Sequence, residues 1–308
     1  MEPEQPNKKR RIEENKEDEF ENVLPDSKQN DRQTEQRCDL RVSLSRIKDF
    51  CSVLQGFNAV PNLQFVKIEF NETGMNMYAK PKEAPVIVTS FFNTDMFEEY
   101  YCNKPVSYWV SKARLELMRK KIKDIKCVQI TCIQGGYSGF CFSGVYRYNT
   151  GVTGKIVCNI YEWDNPIERL DLELDYNCLI TTVSQQFKHN VDLLDDKSAM
   201  ISIRLLEKHL IYEVIDDGGL VNSKISHQID NTDMDIKFDG IFWKKFLRII
   251  TSAQDLHPSL LISFNNTKEE SYPILFHYDL DTNKNRSHFS AYIMPCITEN
   301  KCPEESSY

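Results

Sequence analysis

Amphipathic segments recur four times along this chain, and segments of alternating apolar and polar residues lie between them. In each amphipathic segment the apolar residues return every three to four positions, as on one face of an α-helix. The alternating segments have the period of two that is typical of strands with one buried face. Each helix follows one such strand and precedes three, so the sequence predicts a strand–helix–three-strand unit that occurs four times.

The bounds of these elements follow from where each pattern starts and stops. The predicted helices span 45–57, 111–123, 184–194 and 242–254. The strands before them span 39–44, 105–110, 178–183 and 234–239. The strands after them span 63–70, 74–79, 86–92, 127–134, 140–148, 154–162, 198–206, 209–215, 220–228, 259–265, 272–280 and 288–296.

Because strands far outnumber helices, the fold class predicted is α+β, with one helix lying on the strand-rich sheet of each unit. Two units would form one domain with two helices side by side. We therefore expect an N-terminal domain at 38–162 and a similar C-terminal domain at 176–298. The acidic segment 163–175, which contains Pro166, is the predicted linker, and 299–308 is a short tail.

The first 37 residues have a different composition, with 11 acidic and 8 basic side chains and few apolar ones. Such a segment cannot bury enough apolar surface to offset its ordering entropy, so we expect disorder. It contains the cluster KKRR at Lys8–Arg11. A short basic cluster of this kind can be a nuclear-import signal or a chance feature of composition.

The ten cysteines are scattered, with no CxxC pair and no His at zinc-site spacing. We expect free thiols, a reducing compartment and no metal or other cofactor. The chain shows neither a signal segment at its start nor an apolar run of about 18 residues. The expectation is a cytosolic or nuclear protein with no membrane partner.

Cations lie outside the apolar face of every predicted helix, although the formal net charge is -8. In the last helix, for example, Phe242 and Ile249 would face inward and Lys244 outward. The candidates are Arg46, Lys48, Lys112, Arg114, Lys120, Lys121, Lys188, His189, Lys244, Lys245 and Arg248. On a single helix such residues are typical of a solvated face. Four helices on one side of the molecule would instead form a positive surface suited to phosphates.

Several segments resemble the DNA sliding clamps of the proliferating cell nuclear antigen family. The resemblance is strongest in ITSAQDLHPSLLISF (250–264), SYPILFHYDL (271–280) and HFSAYIMPCI (288–297), with weaker matches at 100–110 and 175–187. At the level of element order it spans roughly 39–297. It implies the DNA-clamp fold, in which three two-domain subunits form a ring with sheets outside and helices lining a hole for duplex DNA. The cationic helices would then hold the duplex by contacts that are independent of sequence.

The resemblance also implies a groove that binds short peptides of partner proteins such as a DNA polymerase and a clamp loader. Leu170, Pro273, Tyr292 and Pro295 occupy the matching positions. Pro273 could instead simply start an edge strand, and Tyr292 could pack within a sheet. The implied location is the nucleus, or a cytoplasmic replication site if the protein is viral.

Three features depart from the family pattern. The 37-residue tail is additional, and the segment AKPKEAP (79–85) is rich in Pro and Lys where the family has an apolar wall of the groove. The third helix carries Asp192 beside Lys188 and the weakly basic His189. These departures leave the shape of the groove and the strength of the third helix as a DNA contact open.

No catalytic constellation is present, and we predict a protein without enzymatic activity. The segment DLDTNKN (279–285) begins like a calcium loop, but Lys284 stands where Gly is required. A hydrolase that uses Asp233 and Asp235 is the competing hypothesis from another class; at alternating strand positions these residues more often form a wet face.

A second alternative keeps the fold and changes the assembly. The chain could be one subunit of a heteromeric checkpoint-type clamp, or a clamp-like transcription factor. A homotrimer requires the strand at 154–162 of one subunit to pair with the strand at 220–228 of the next. The sequence does not decide whether these two edges fit each other.

Overall fold

The computed structural model describes residues 38–44, 46–82, 84–122, 128–133, 139–147, 153–161, 174–194, 200–215, 221–229, 236, 238–266, 272–280 and 287–296. Within these, the side chains of 38, 39, 121, 128–161 and 222 are not described. The predictions for 1–37, Leu170, the linker up to 173, Asp233, Asp235 and 297–308 lie outside the described residues.

Four α-helices and seventeen strands make up the described part of the chain. The helices are α1 (Ile47–Ala59), α2 (Lys112–Ile122), α3 (Ser184–Leu193) and α4 (Lys244–Ser252), with short 3-10 turns at Thr94–Met96 and Gln254–Leu256. The first nine strands are β1 (Cys38–Leu44), β2 (Phe65–Asn71), β3 (Gly74–Ala79), β4 (Val86–Asn93), β5 (Phe97–Cys102), β6 (Val106–Ser111), β7 (Val128–Ile133), β8 (Gly139–Arg147) and β9 (Thr153–Tyr161). The others are β10 (Cys178–Val183), β11 (Met200–Leu206), β12 (His209–Ile215), β13 (Val221–Gln228), β14 (Phe238–Trp243), β15 (Ser259–Phe264), β16 (Ile274–Asp279) and β17 (His288–Ile293).

The predicted unit of one strand, one helix and three strands is present four times, with two differences. The strand before α4 spans Phe238–Trp243 and not 234–239, and the helix begins at Lys244. Phe242 therefore belongs to the strand, where it is buried together with Phe238 because side chains two positions apart share one face. The strand β5 was missed, since its paired glutamates and paired tyrosines hide the alternation.

All strand pairs are antiparallel and form three sheets. A five-stranded sheet has the order β5-β1-β7-β8-β9, and a four-stranded sheet has the order β13-β12-β11-β14. The eight-stranded sheet, β10-β15-β16-β17-β4-β3-β2-β6, takes four strands from each predicted domain. It joins them where β4 pairs with β17, with Val88 opposite Ala291. The division into domains at 162 and 176 remains a prediction.

The helices lie in a row, because α1 packs against both α2 and α4, and α4 also packs against α3. Their apolar faces are buried against the inner residues of the sheets, with Phe50, Phe57 and Phe187 among the largest fully buried side chains. The order α2-α1-α4-α3 brings all four cationic segments next to one another. This arrangement positions the candidate site.

The described residues contain no helix long and apolar enough to cross a membrane. Among the same residues, no group of three or more His, Cys, Asp and Glu side chains could hold a metal ion. Cys51, Cys102, Cys178 and Cys296 are free thiols, as predicted.

Candidate functional site

The first turn of α1 carries two of the predicted cations at the surface. Arg46 is exposed, and its Nε lies 2.6 Å from an Asp49 carboxylate oxygen, while its Nη1 donates to the Met96 sulfur at 3.2 Å. Burial raises the pKa of Asp49, and the charge and hydrogen bond of Arg46 oppose that rise. Lys48 is exposed on the same turn. Arg46 is thus held in place by neighbours, whereas Lys48 extends into solvent.

On α2 the cations surround one carboxylate. Glu116 accepts hydrogen bonds from Arg119 at 2.8 Å and from Asn58 of α1 at 2.8 Å, and Lys120 lies 3.6 Å away. The Arg119 hydrogen bond is the largest cause of the lowered pKa of Glu116. Lys120 is the most exposed cation of this group, and Arg114 is half-buried. Glu116 therefore neutralises part of the charge of α2.

The charge of α4 is concentrated at its N-terminal half. Lys245 is exposed, and its Nζ lies 5.1 Å from the centre of the Trp243 ring and 5.2 Å from that of Phe246. The contact with Trp243 restrains the ammonium without burying it. Arg248, one turn later, is also exposed. Both residues remain accessible to a large anionic ligand.

The helix α3 is the weakest contributor, as its sequence suggests. Lys188 is half-buried, His189 is exposed, and the exposed Asp192 follows one turn after Lys188. A carboxylate at this position repels phosphates over roughly the distance of a Debye length, about 10 Å at moderate salt. The positive surface is therefore uneven along the row.

Two predicted DNA contacts, Lys244 and Lys112, donate hydrogen bonds to backbone carbonyls of the protein. Lys244 is only 4% exposed, and its Nζ donates to the backbone carbonyl of Leu194 at 2.5 Å. Lys112 is half-buried, and its Nζ donates to the carbonyl of Val60 at 2.9 Å. Helical periodicity alone assigned both to the outer face, because it contains no information about the neighbouring helix. Both ammonium groups donate to backbone carbonyls, and Lys244, which is buried, is not the surface cation that was predicted.

The exposed or partly exposed cations share the helix row. They are Arg46, Lys48, Arg114, Lys120, Lys188, His189, Lys245 and Arg248; the side chain of Lys121 is not described. Cations gathered along a row of helices are suited to a polyanion held by many weak contacts.

The described residues of the predicted groove, Pro273, Tyr292 and Pro295, lie on or beside strands of the eight-stranded sheet. Tyr292 of β17 stands directly opposite Leu275 of β16 on one side and Ile87 of β4 on the other, and all three are partly exposed. Burial raises the pKa of Tyr292. Pro273 and Pro295 flank these strands and are also partly exposed. These residues give one apolar strip along the sheet.

One end of this strip contains tyrosines that sequence reasoning did not single out. The rings of Tyr176 and Tyr272 contact edge to face at 5.8 Å between centroids. The Tyr272 hydroxyl accepts a hydrogen bond from the backbone N–H of Asp175 at 2.8 Å. The alternation of β4 and β16 could have identified Ile87 and Leu275, but nothing local indicates that residues near 176 lie beside 272.

Two sheet edges correspond to the pairing that a homotrimer requires. The strand β9 is the last strand of the five-stranded sheet, and β13 is the last strand of the four-stranded sheet. Among the described residues, β9 pairs with β8 and β13 pairs with β12.

No model of a known protein family matches this chain, and no curated protein sequence matches it. Among solved structures, it is similar to the proliferating cellular nuclear antigen from Entamoeba histolytica, with a TM-score of 0.69 and 13% sequence identity. The match covers 85% of this chain and 100% of that chain. At this identity the likeness is one of fold. The chain thus has an α+β fold with antiparallel sheets that matches the DNA-clamp fold of that antigen.

Proposed function

We propose that this protein is a sliding clamp without enzymatic activity, a divergent member of the proliferating cell nuclear antigen family. Copies of the chain form a ring around duplex DNA and tether enzymes that work on it. The observation that carries this proposal is the row of four helices, each with an accessible cation, in a chain of formal net charge -8. Cations gathered along one row in an acidic protein are suited to a large anion.

The physical basis is a set of weak contacts that do not read sequence. A lysine or arginine beside a phosphate displaces condensed counterions, so each contact adds affinity that falls steeply with salt. Contacts of this kind centre a duplex and still permit sliding, because no base edge is recognised. The negative charge elsewhere on the molecule discourages DNA from binding the wrong surface.

The ring is proposed to be a homotrimer of two-domain subunits. Pairing of β9 with β13 of the next copy would satisfy both open edges and continue a five-stranded sheet into a four-stranded one. The domains would be 38–162 and 176–298, linked by 163–175. Closed symmetry of this kind uses each of these two edges once.

Partners are proposed to bind the apolar strip that contains Tyr292, Pro273 and Pro295, with Leu170 contributed by the linker. The expected ligands are short peptides with apolar and aromatic anchors, carried by a DNA polymerase, a clamp loader and repair proteins. The place of action would be the nucleus, or a cytoplasmic replication site if the protein is viral.

Light scattering across a concentration series tests the assembly. A particle of about 108 kDa, three times the 36.0 kDa chain, is expected. A stable 36.0 kDa monomer would instead favour the heteromeric ring or a clamp-shaped transcription factor.

A topological assay tests encirclement. The protein is mixed with nicked circular duplex DNA, passed through a sizing column, and the DNA is then cut once. Protein that co-migrates with the circle and is released by the cut encircles it. Retention of the protein on the linear product contradicts encirclement.

A further inference from the structure

Two lysines of the helix row make the same unusual contact in the two halves of the chain. Lys112 is the first residue of α2, and its Nζ donates to the carbonyl of Val60, the C-cap residue that follows α1. Lys244 is the first residue of α4, and its Nζ donates to the carbonyl of Leu194, the C-cap residue that follows α3. In each half, the start of the second helix is bonded to the end of the first.

We propose that Lys112 and Lys244 are positioning residues of the DNA-facing helix row, and that neither contacts DNA. This inference deepens the proposed function, because it rests on the row being the DNA surface. It separates cations that hold helices in register from cations that meet phosphates. At the start of α4 the two roles belong to adjacent residues, because Lys244 is buried and Lys245 is exposed.

The electrostatics favour these bonds. The last carbonyls of a helix have no partner within it and carry about half a negative charge together. An ammonium that donates to such a carbonyl satisfies an orphan acceptor and neutralises the helix end. Withdrawal of the lysine would leave the carbonyl of Leu194 without this donor in a buried site, which is more costly than loss of the bond alone.

The surroundings of Lys112 reinforce the same junction. Burial lowers the pKa of Lys112, and the nearby Glu116 carboxylate opposes that shift. Glu116 also accepts a hydrogen bond from Asn58, in the last turn of α1. Two polar contacts therefore fix where α2 begins relative to the end of α1. A change in that register would move Arg114 and Lys120 along the row.

The recurrence argues against a chance contact. Lys112 lies in the segment VSKARL and Lys244 in FWKKFL, which share little beyond the lysine itself. Position within the repeated unit is what they have in common. A lysine that bonds the start of one helix to the end of another in two dissimilar sequences is best explained by its position in the unit. The exposed cations, by contrast, differ in number and place from helix to helix.

Adjacent residues supply a matched experiment in the full-length protein. Lys244→Met and Lys245→Met each remove one ammonium and keep an unbranched side chain. Thermal unfolding and binding to a linear duplex, measured as a function of salt, are compared for the two variants. We expect Lys244→Met to lower Tm by about 5 °C and to leave the slope of log K against log salt unchanged. Lys245→Met should leave Tm within about 1 °C and reduce the slope by about 0.9, the release expected for one phosphate contact.

Lys112→Met and Lys112→Arg provide the second test, should the buried Lys244→Met variant not fold. Lys112→Met should lower Tm at an unchanged salt slope, and Lys112→Arg, which retains a donor and a charge, should restore most of the loss. A reduced slope at an unchanged Tm for either Lys112→Met or Lys244→Met would overturn the inference. Failure of the proposed function is distinct, since the unchanged protein would then bind duplex without salt dependence or not at all.

Discussion

The ring of Phe289 closes directly over Gly56, so that a Cβ atom on this glycine would lie 2.5 Å from Cζ of the phenylalanine. Ala253 of the segment after α4 lies next to the same point, 3.3 Å from that position. Phe289 is fully buried and also contacts Phe57 edge to face at 6.0 Å between centroids. Glycine at this position lets α1 approach both α4 and the sheet.

Gly56→Ala should therefore destabilise the protein, even though alanine favours helices by about 1 kcal/mol. Forcing a methyl group into a packed core costs about 1–3 kcal/mol, so the net loss expected is up to about 2 kcal/mol. Chemical denaturation measures it, with Gln55→Ala on the exposed side of α1 as the control for helix propensity. Equal or greater stability of Gly56→Ala would show that the ring of Phe289 yields easily.

The DNA surface can be tested by reversing two charges that the structure leaves exposed. Lys245→Glu with Arg248→Glu should reduce the slope of log K against log salt for duplex binding by about 2, because two phosphate contacts are lost. Lys82→Glu with Lys104→Glu is the charge-matched control, since both residues are exposed and neither belongs to a helix. Equal effects of the two double variants would mean that only net charge matters and that α4 has no special role.

The sequence predicted most of the frame and part of the surface. Cys178–Val183 and Val86–Asn93, the latter to within one residue, were located from their apolar alternation, which survives because one face of each strand is more buried than the other. The position of Lys244 could not be predicted, since its acceptor belongs to a helix 50 positions away. The same limit applies to Tyr292, whose neighbour Ile87 comes from the other half of the chain. Local periodicity predicts which residues are buried. The residues that they contact depend on how segments distant in the sequence pair with one another.

The acidic residue on α3 should weaken DNA binding. Asp192→Asn removes an exposed carboxylate from the helix row and should tighten duplex binding about twofold at low salt, the effect of one charge at about 10 Å in water. The gain should vanish when the Debye length falls well below that distance in concentrated salt. Asp95→Asn, on the turn before β5, controls for net charge. A gain that persists at high salt would indicate a direct contact and not a field effect.

Peptide binding tests the proposed partner groove. Tyr292→Ala removes the central ring of the apolar strip and should weaken a labelled peptide with one aliphatic and two aromatic anchors at least tenfold, as loss of a buried aromatic anchor does. Tyr101→Ala, a 52% exposed tyrosine on β5, should have no effect. Fluorescence anisotropy measures both. Unchanged peptide binding by Tyr292→Ala would show that Tyr292 is not part of the partner groove.

The stability of the protein should fall in mild acid because of His288. Burial lowers the pKa of this imidazole from 6.5 to about 4, with the neighbouring His277 adding to the shift and Asp279 opposing it. His288 packs against Phe91 at 6.2 Å and against His277 at 5.3 Å between ring centroids. The folded protein therefore holds His288 neutral at pH values where the unfolded chain has already protonated it.

The sign follows from proton linkage. Between pH 6.5 and about 4 the unfolded state binds more protons at this residue, so stability is lost as pH falls through that window and is constant for this group above it. His288→Gln cannot titrate, and its Tm should therefore fall less than that of the unchanged protein between pH 7 and pH 4.5. His209→Gln, at an exposed position on β12, is the control. Parallel Tm curves for His288→Gln and the unchanged protein would assign the acid sensitivity to other groups.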